Sequence, residues 1–204
     1  MASPETLVEF RAAWIGFDQP VLGPLDVRIP AGARWALTGP NGSGKSLLLR
    51  ALVGQASLHA GSVRLAPATR TTLLAQDHPR RHPWPLSGFD WFDAMNTTPP
   101  ERPRIRVLLP RRLDRLSGGQ WQLLRLASAL ATPVAVDPPA GDDAPRLVLL
   151  DEPANHLDTE VRQDAVELIR AVPDGTTLVI TSHDPAFLSE LGLEVRPLAT
   201  LLQR

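Results

Sequence analysis

Apolar and polar positions alternate at both ends of the stretch from residue 7 to residue 35. Leu7-Val8-Glu9-Phe10 and Leu25-Asp26-Val27-Arg28-Ile29 predict short antiparallel strands joined by a turn containing Pro and Gly. Arg34-Trp35-Ala36-Leu37-Thr38 drops the alternation, as a buried strand does, and Ser46 to Val53 reads as a helix ended by Gly54. Thr71-Thr72-Leu73-Leu74-Ala75 predicts a further strand running into Gln76, and apolar residues at 123, 124, 127 and 130 make a helical stripe across Trp121 to Leu130. Two more buried strands follow. Arg146-Leu147-Val148-Leu149-Leu150 ends in Asp151-Glu152-Pro153, and Thr177-Leu178-Val179-Ile180-Thr181 delivers Ser182-His183-Asp184. Strands interleaved with helices imply an α/β fold, and 204 residues suit one domain, 1–204, with room for a small subdomain.

Composition narrows the setting. A net charge of −1 gives no global field toward DNA or RNA. With no cysteine there is neither a disulfide framework nor a thiolate metal site, and no signal peptide is evident, so a reducing cytoplasm is the simplest location. The apolar stretches are far shorter than a bilayer span, which leaves any membrane role to a partner.

The candidate chemistry starts at Lys45, the single lysine beside twenty arginines. It lies in Gly39-Pro40-Asn41-Gly42-Ser43-Gly44-Lys45-Ser46, the spacing G-x-x-x-x-G-K-S of a phosphate-binding loop. Glycines there let backbone N–H groups face a phosphate, the ammonium reaches the β and γ oxygens, and the serine hydroxyl ligates Mg²⁺. A compact ammonium suits that cradle better than a planar guanidinium. Strand before and helix after supply the order the mechanism requires. Gln76, at a strand end, carries an amide oxygen able to ligate Mg²⁺. Ser117-Gly118-Gly119-Gln120 opens the 121–130 helix, and its bare N–H groups make a second anion site, although a plain N-cap fits the same residues. Asp151 at the phosphate edge can hold Mg²⁺ through water, Glu152 can polarise the attacking water, and His183 can bond a γ-phosphate oxygen. Phe17, in the loop between the first strands, can stack on adenine, with Trp14 the competing ring.

Taken together, these segments resemble the ATP-binding cassette (ABC) ATPase family from about residue 7 to about residue 190. The motif Leu116-Ser117-Gly118-Gly119-Gln120, set between a phosphate loop and Leu147-Val148-Leu149-Leu150-Asp151-Glu152-Pro153, carries the likeness. The resemblance implies a P-loop NTPase core with an antiparallel β subdomain and a small helical signature subdomain at about 77–130. It implies ATP and Mg²⁺ as ligands, Gln76 as the Q-loop glutamine, Glu152 as the catalytic glutamate, Ala154 to Asp158 as the D-loop and His183 as the switch histidine. It places Phe17 at the adenine and implies a head-to-tail dimer, with identical chains the simplest pairing, in which the signature of one subunit caps the γ-phosphate held by the other. Leu47 departs from the family's usual GKST, removing a hydroxyl that commonly meets the α-phosphate and predicting weaker nucleotide binding. Residues 135–144 read as an inserted Pro/Gly/Asp-rich loop.

Two functions fit the resemblance. In one the chain drives a separate membrane permease from the inner face of the cell membrane; Trp84, Phe89, Trp91, Phe92 and Trp121 would line a groove for a permease helix, or fill a subdomain core. In the other it is a soluble ABC-F-like ATPase on the ribosome, with Arg102, Arg104, Arg106, Arg111, Arg112 and Arg115 meeting RNA phosphates. A single cassette without the long charged linker usual in that branch favours the first.

Overall fold

The computed structural model describes residues 5–76, 85–131, 144–155 and 157–202. Two compact units divide the chain: Met1–Ala75, Ala140–Glu152 and Pro173–Arg204 form the first, and Gln76–Pro139 with Pro153–Val172 the second.

The first unit holds two sheets. In the smaller, β1 (Thr6–Gly16) lies between β2 (Pro20–Pro30) and β4 (Ser57–Leu65), antiparallel to both. The first two strands are 11 residues each, longer than the sequence pattern suggests. Register shifts between Phe10 and Ala13 and between Ala13 and Ile15 reset the alternation, so the inward-facing residues fall out of step with a strict period of two. Only the turn at 17–19 separates these strands.

The larger sheet has the order β5-β6-β7-β3-β8, with β3 (Arg34–Thr38), β5 (Arg70–Leu74), β6 (Arg146–Asp151), β7 (Thr176–Thr181) and β8 (Glu194–Pro197) all parallel. A central parallel strand is covered on both faces, which explains why β6 and β7 are apolar runs and not alternating ones. Every residue of β7 is buried. Leu37 and Asp151 both pair with Thr181, so the carboxyl ends of β3, β7 and β6 lie in one row. Open α/β sheets present their chemistry along such a row. Two helices belong to this unit. In α1 (Lys45–Leu52), Leu47, Leu48, Leu49 and Leu52 enter a core shared with Phe10, Ile15 and Leu149, and α6 (Pro185–Leu191) is capped by the Asp184 carboxylate and stopped at Gly192, whose φ is 63°.

The second unit is helical. α2 (Gly88–Ala94), α3 (Pro103–Leu108), α4 (Gly118–Leu130) and α5 (Thr159–Arg170) build it. Ser87 and Asp90 form a reciprocal capping box on α2, and Asp158 caps α5 by accepting from the Val161 N–H at 2.9 Å. In α4 every residue from Trp121 to Leu130 is buried, well beyond the apolar stripe read from sequence. Trp91 and Trp121 meet edge to face, with ring centroids 4.8 Å apart, and Phe92 is fully buried, so these three rings form core. Phe89 is 51% exposed, and Trp84 lies outside the described residues.

Candidate functional site

Directly after β3 the chain runs through Gly39 to Gly44 and into α1. Gly44 has φ 102° and a Cβ there would stand 3.1 Å from Leu22, while Gly42 has φ 75°; side chains at either position would oppose the fold of the loop. Lys45, only 7% exposed, bends back across this loop and donates to the carbonyls of Gly39 (2.8 Å) and Pro40 (3.0 Å). The ammonium is thereby held over the concave side by neutral acceptors. Inside the same loop the Ser43 hydroxyl is buried with no hydrogen-bond partner, which is costly unless a ligand supplies one. Ser46 is half-buried at the head of α1, and Leu47 is buried in the core, so the missing hydroxyl noted in the sequence is replaced by packing.

Two strands away, Asp151 is 2% exposed and its Oδ1 accepts a 2.6 Å hydrogen bond from the Thr181 hydroxyl. Thr181 also fixes the next residue: the Glu152 N–H donates to the Thr181 carbonyl at 3.1 Å and to its Oγ1 at 3.0 Å. Glu152 is 6% exposed and has φ 49°, a left-handed backbone that non-glycine residues seldom adopt. Such a conformation persists only where its surroundings over-determine it. Glu152 Oε2 lies 3.0 Å from Nδ1 of His183, whose side chain is 60% exposed at the end of β7. With the proton on Nδ1, the ring donates to Glu152. Beside His183, on the side of α6 and β8, lies a cavity of about 540 Å³ bounded by Gly39, His183, Pro185, Leu188 and Val195; Lys45, Asp151 and Glu152 do not line it. The first unit therefore brings together the phosphate loop, Asp151, Glu152 and His183.

Gln76 is exposed and opens the second unit, two residues beyond β5. In that unit, Ser117 Oγ accepts from the Gln120 N–H at 3.2 Å while Gln120 Oε1 accepts from the Ser117 N–H at 3.1 Å. The signature helix thus begins at Gly118, three residues earlier than the apolar stripe indicates, and Ser-x-x-Gln was the available signal. A Cβ on Gly118 would meet nothing within 4 Å, so this face is open. Asn155 and Leu157 are half-buried, and His156 of the D-loop lies outside the described residues, as do residues 135–143. Phe17 is 51% exposed in the turn after β1; Trp14, 37% exposed, lies in β1 with its ring against Gly23.

Arg102, Arg104, Arg106 and Arg112 of the arginine run are tied to acids of their own unit. Arg102 reaches Glu167 at 2.9 Å, Arg104 reaches Glu160 at 3.2 Å as well as Asp164, and Arg106 reaches Glu101 at 3.2 Å. Arg112 bonds Asp114 at 2.7 Å, and that contact holds the Asp114 carboxyl below its usual range.

The family model described as ABC transporter matches residues 22–87, which include the phosphate loop and Gln76. A model for an AAA domain of the AbiEii toxin, type IV toxin–antitoxin kind, matches residues 69–189, which include the signature, Asp151, Glu152 and His183. The zinc transport system ATP-binding protein TroB of Treponema pallidum is 32% identical over 216 residues, covering 89% of this chain and 75% of its own length. The chain belongs to the ATP-binding cassette ATPases. Another cassette relative, the ATP-binding protein YbiT of Escherichia coli O157:H7, is 30% identical over 89% of this chain, and the chain spans only 34% of it. Import ATP-binding proteins for zinc, hemin and vitamin B12 match this cassette at 35%, 32% and 31% identity. The fold agrees with a solved ABC transporter ATP-binding protein of Pyrococcus furiosus, at a TM-score of 0.71 and 20% identity, covering 96% of this cassette and 99% of that chain. Among the described residues no helix of the cassette is long and apolar enough to cross a membrane.

Proposed function

We propose that this cassette binds and hydrolyses ATP with Mg²⁺ and powers a membrane permease, as one half of a head-to-tail dimer on the inner face of the cell membrane. The observation that carries the reading is the convergence of an orphaned Ser43 hydroxyl, a buried Lys45 and a strained Glu152 along one row of strand ends. Gly39 to Ser46 cradle the phosphates, and the Ser43 hydroxyl gains in ATP the partner it lacks. Ser46 and, through water, Asp151 would offer oxygens suited to a hard cation, and the Gln76 amide oxygen is the further donor the resemblance implies. Bound Mg²⁺ supplies neutralisation of charge on the β and γ oxygens. Glu152 takes the proton from the attacking water, and His183, whose Nδ1 is occupied by that carboxylate, presents Nε2 toward the γ-phosphate. Phe17 stacks on adenine, since the ring of Trp14 is engaged against Gly23. Ser117, Gly118, Gly119 and Gln120 cap the γ-phosphate of the partner from their open helix end. The import proteins among the relatives support the permease reading, and the pairing of Arg102, Arg104, Arg106 and Arg112 with acids weakens the ribosomal one.

Glu152→Gln tests this. The amide keeps the size of the side chain and removes the base, so turnover should fall by roughly two to four orders of magnitude. ATP binding should persist and trap a dimer, seen by size-exclusion chromatography with ATP and Mg²⁺, and Ser117→Arg should abolish that dimer by blocking the signature face. Wild-type turnover in Glu152→Gln, or a variant that binds ATP and stays monomeric, would remove Glu152 from this role.

A further inference from the structure

Helix α4 carries Gln122, Arg125 and Ser128 at three-residue spacing, hence on one face, and all three are buried at 7%, 6% and 3% exposure in an otherwise apolar helix. Burying an arginine is expensive, so the arrangement calls for a use. Each group is engaged. Gln122 Nε2 donates to the carbonyl of Pro153 at 3.3 Å, Arg125 Nη1 donates to Gln122 Oε1 at 2.8 Å, and Ser128 Oγ donates to the Arg125 carbonyl at 2.9 Å while accepting from Trp91 Nε1 at 2.9 Å. A continuous series of buried hydrogen bonds thus runs within the second unit from α2, through α4, to Pro153.

Pro153 is bonded directly to Glu152, and the proline ring restricts rotation on that side. The left-handed backbone of Glu152 is pinned on its amino side by Thr181. On its carboxyl side the next anchor is the Pro153 carbonyl, and the side chain that holds it is Gln122. An amide has one end to give and one to receive, and Arg125 occupies the receiving end, which orients the N–H₂ toward Pro153.

We propose that Gln122, oriented by Arg125, is a positioning residue for Glu152, holding the carboxylate in the geometry from which it activates water. The inference rests on the reading of Glu152 as the base. Gln122→Glu isolates the effect: the carboxylate keeps its size and its bond from Arg125 but has no donor for Pro153. Measured on the full chain, kcat for ATP hydrolysis should fall about tenfold, while KM and the Kd for ATP stay close to wild type. In a Glu152→Gln background the same substitution should change the residual rate less than twofold, because a group acting through Glu152 has nothing left to act on. Arg125→Met, which frees the amide to rotate, should lower kcat in the same direction, and Gln122→Met serves as the second donor-free variant if Gln122→Glu does not fold. Wild-type kcat in a folded Gln122 variant, or an equal fold-loss in both backgrounds, overturns the proposal. Wild-type turnover by Glu152→Gln overturns the base assignment itself, and this inference with it.

Discussion

Thr181→Val is the sharpest test of how the strand ends are held. Thr181 is fully buried; its hydroxyl donates to Asp151 at 2.6 Å and accepts from the Glu152 N–H at 3.0 Å. Valine preserves the shape and removes the hydroxyl. The Glu152 N–H keeps the Thr181 carbonyl at 3.1 Å, so its loss is partial, whereas Asp151, 2% exposed, loses a donor to a buried carboxylate. A hydrogen bond to a charged group contributes about 1.5–3 kcal/mol. For a chain of this size each kcal/mol shifts the melting temperature by roughly 2–4 °C, so a fall of about 3–12 °C is expected. Thr181→Ser, which keeps the hydroxyl and deletes a methyl, should cost only about 1 kcal/mol. Thermal melting by circular dichroism, without nucleotide, reads both. A Thr181→Val protein melting within about 1 °C of wild type, or a serine variant as damaged as the valine one, would refute the claim that this hydroxyl secures Asp151.

Lys45→Ala removes the ammonium that bridges the Gly39 and Pro40 carbonyls and should abolish tight ATP binding in a fluorescent-nucleotide titration; wild-type affinity would break the reading of the loop. Leu47→Thr restores the family's usual hydroxyl, which is worth up to about 1 kcal/mol or fivefold in affinity, yet it trades away a buried core side chain at about 2 kcal/mol of stability. Calorimetry and melting should therefore move in opposite senses, and an unchanged affinity would show another donor at the α-phosphate. The Asp90 carboxyl is held below its usual range by the Ser87 hydroxyl and then the Ser87 N–H. Its contribution to α2 is therefore present above the unfolded carboxylate pKa near 4 and is lost as pH falls through the lower folded value. Amide exchange of α2 should show that loss on acidification, and Asp90→Asn should flatten it.

The core and the glycine loop around Lys45 were legible because they depend on patterns that short windows hold. β6 and β7 hold continuous apolar runs, Leu147 to Leu150 and Leu178 to Ile180, and the order of strand, glycine loop and helix around Lys45 is local. β4 was not legible, since most of its residues from Ser57 to Ala60 face solvent and no alternation marks it. The full length of β1 was hidden by its register shifts. In the candidate site, residue types singled out Asp151, Glu152 and His183 as candidates, but the left-handed turn at Glu152 is held by Thr181, a long-range partner. The buried Gln122 and Arg125 had no sequence signal either: polar side chains on a helix read as its solvent face until neighbouring helices cover them.

The place of β3 in the large sheet bears on how the protein is made. Trp35 pairs with Val179 on one side and Glu194 on the other, so the strand that launches the phosphate loop gains neither neighbour until residues 176–181 and 194–197 have been synthesised. At roughly 5–20 residues per second, the nascent loop waits on the order of ten seconds or more before its supporting strands exist. Prematurely terminated products that stop short of residue 176 would carry the whole nucleotide motif with no sheet to hold it, and should fail to retain ATP. Nucleotide capture thereby becomes a report on translation having passed residue 197.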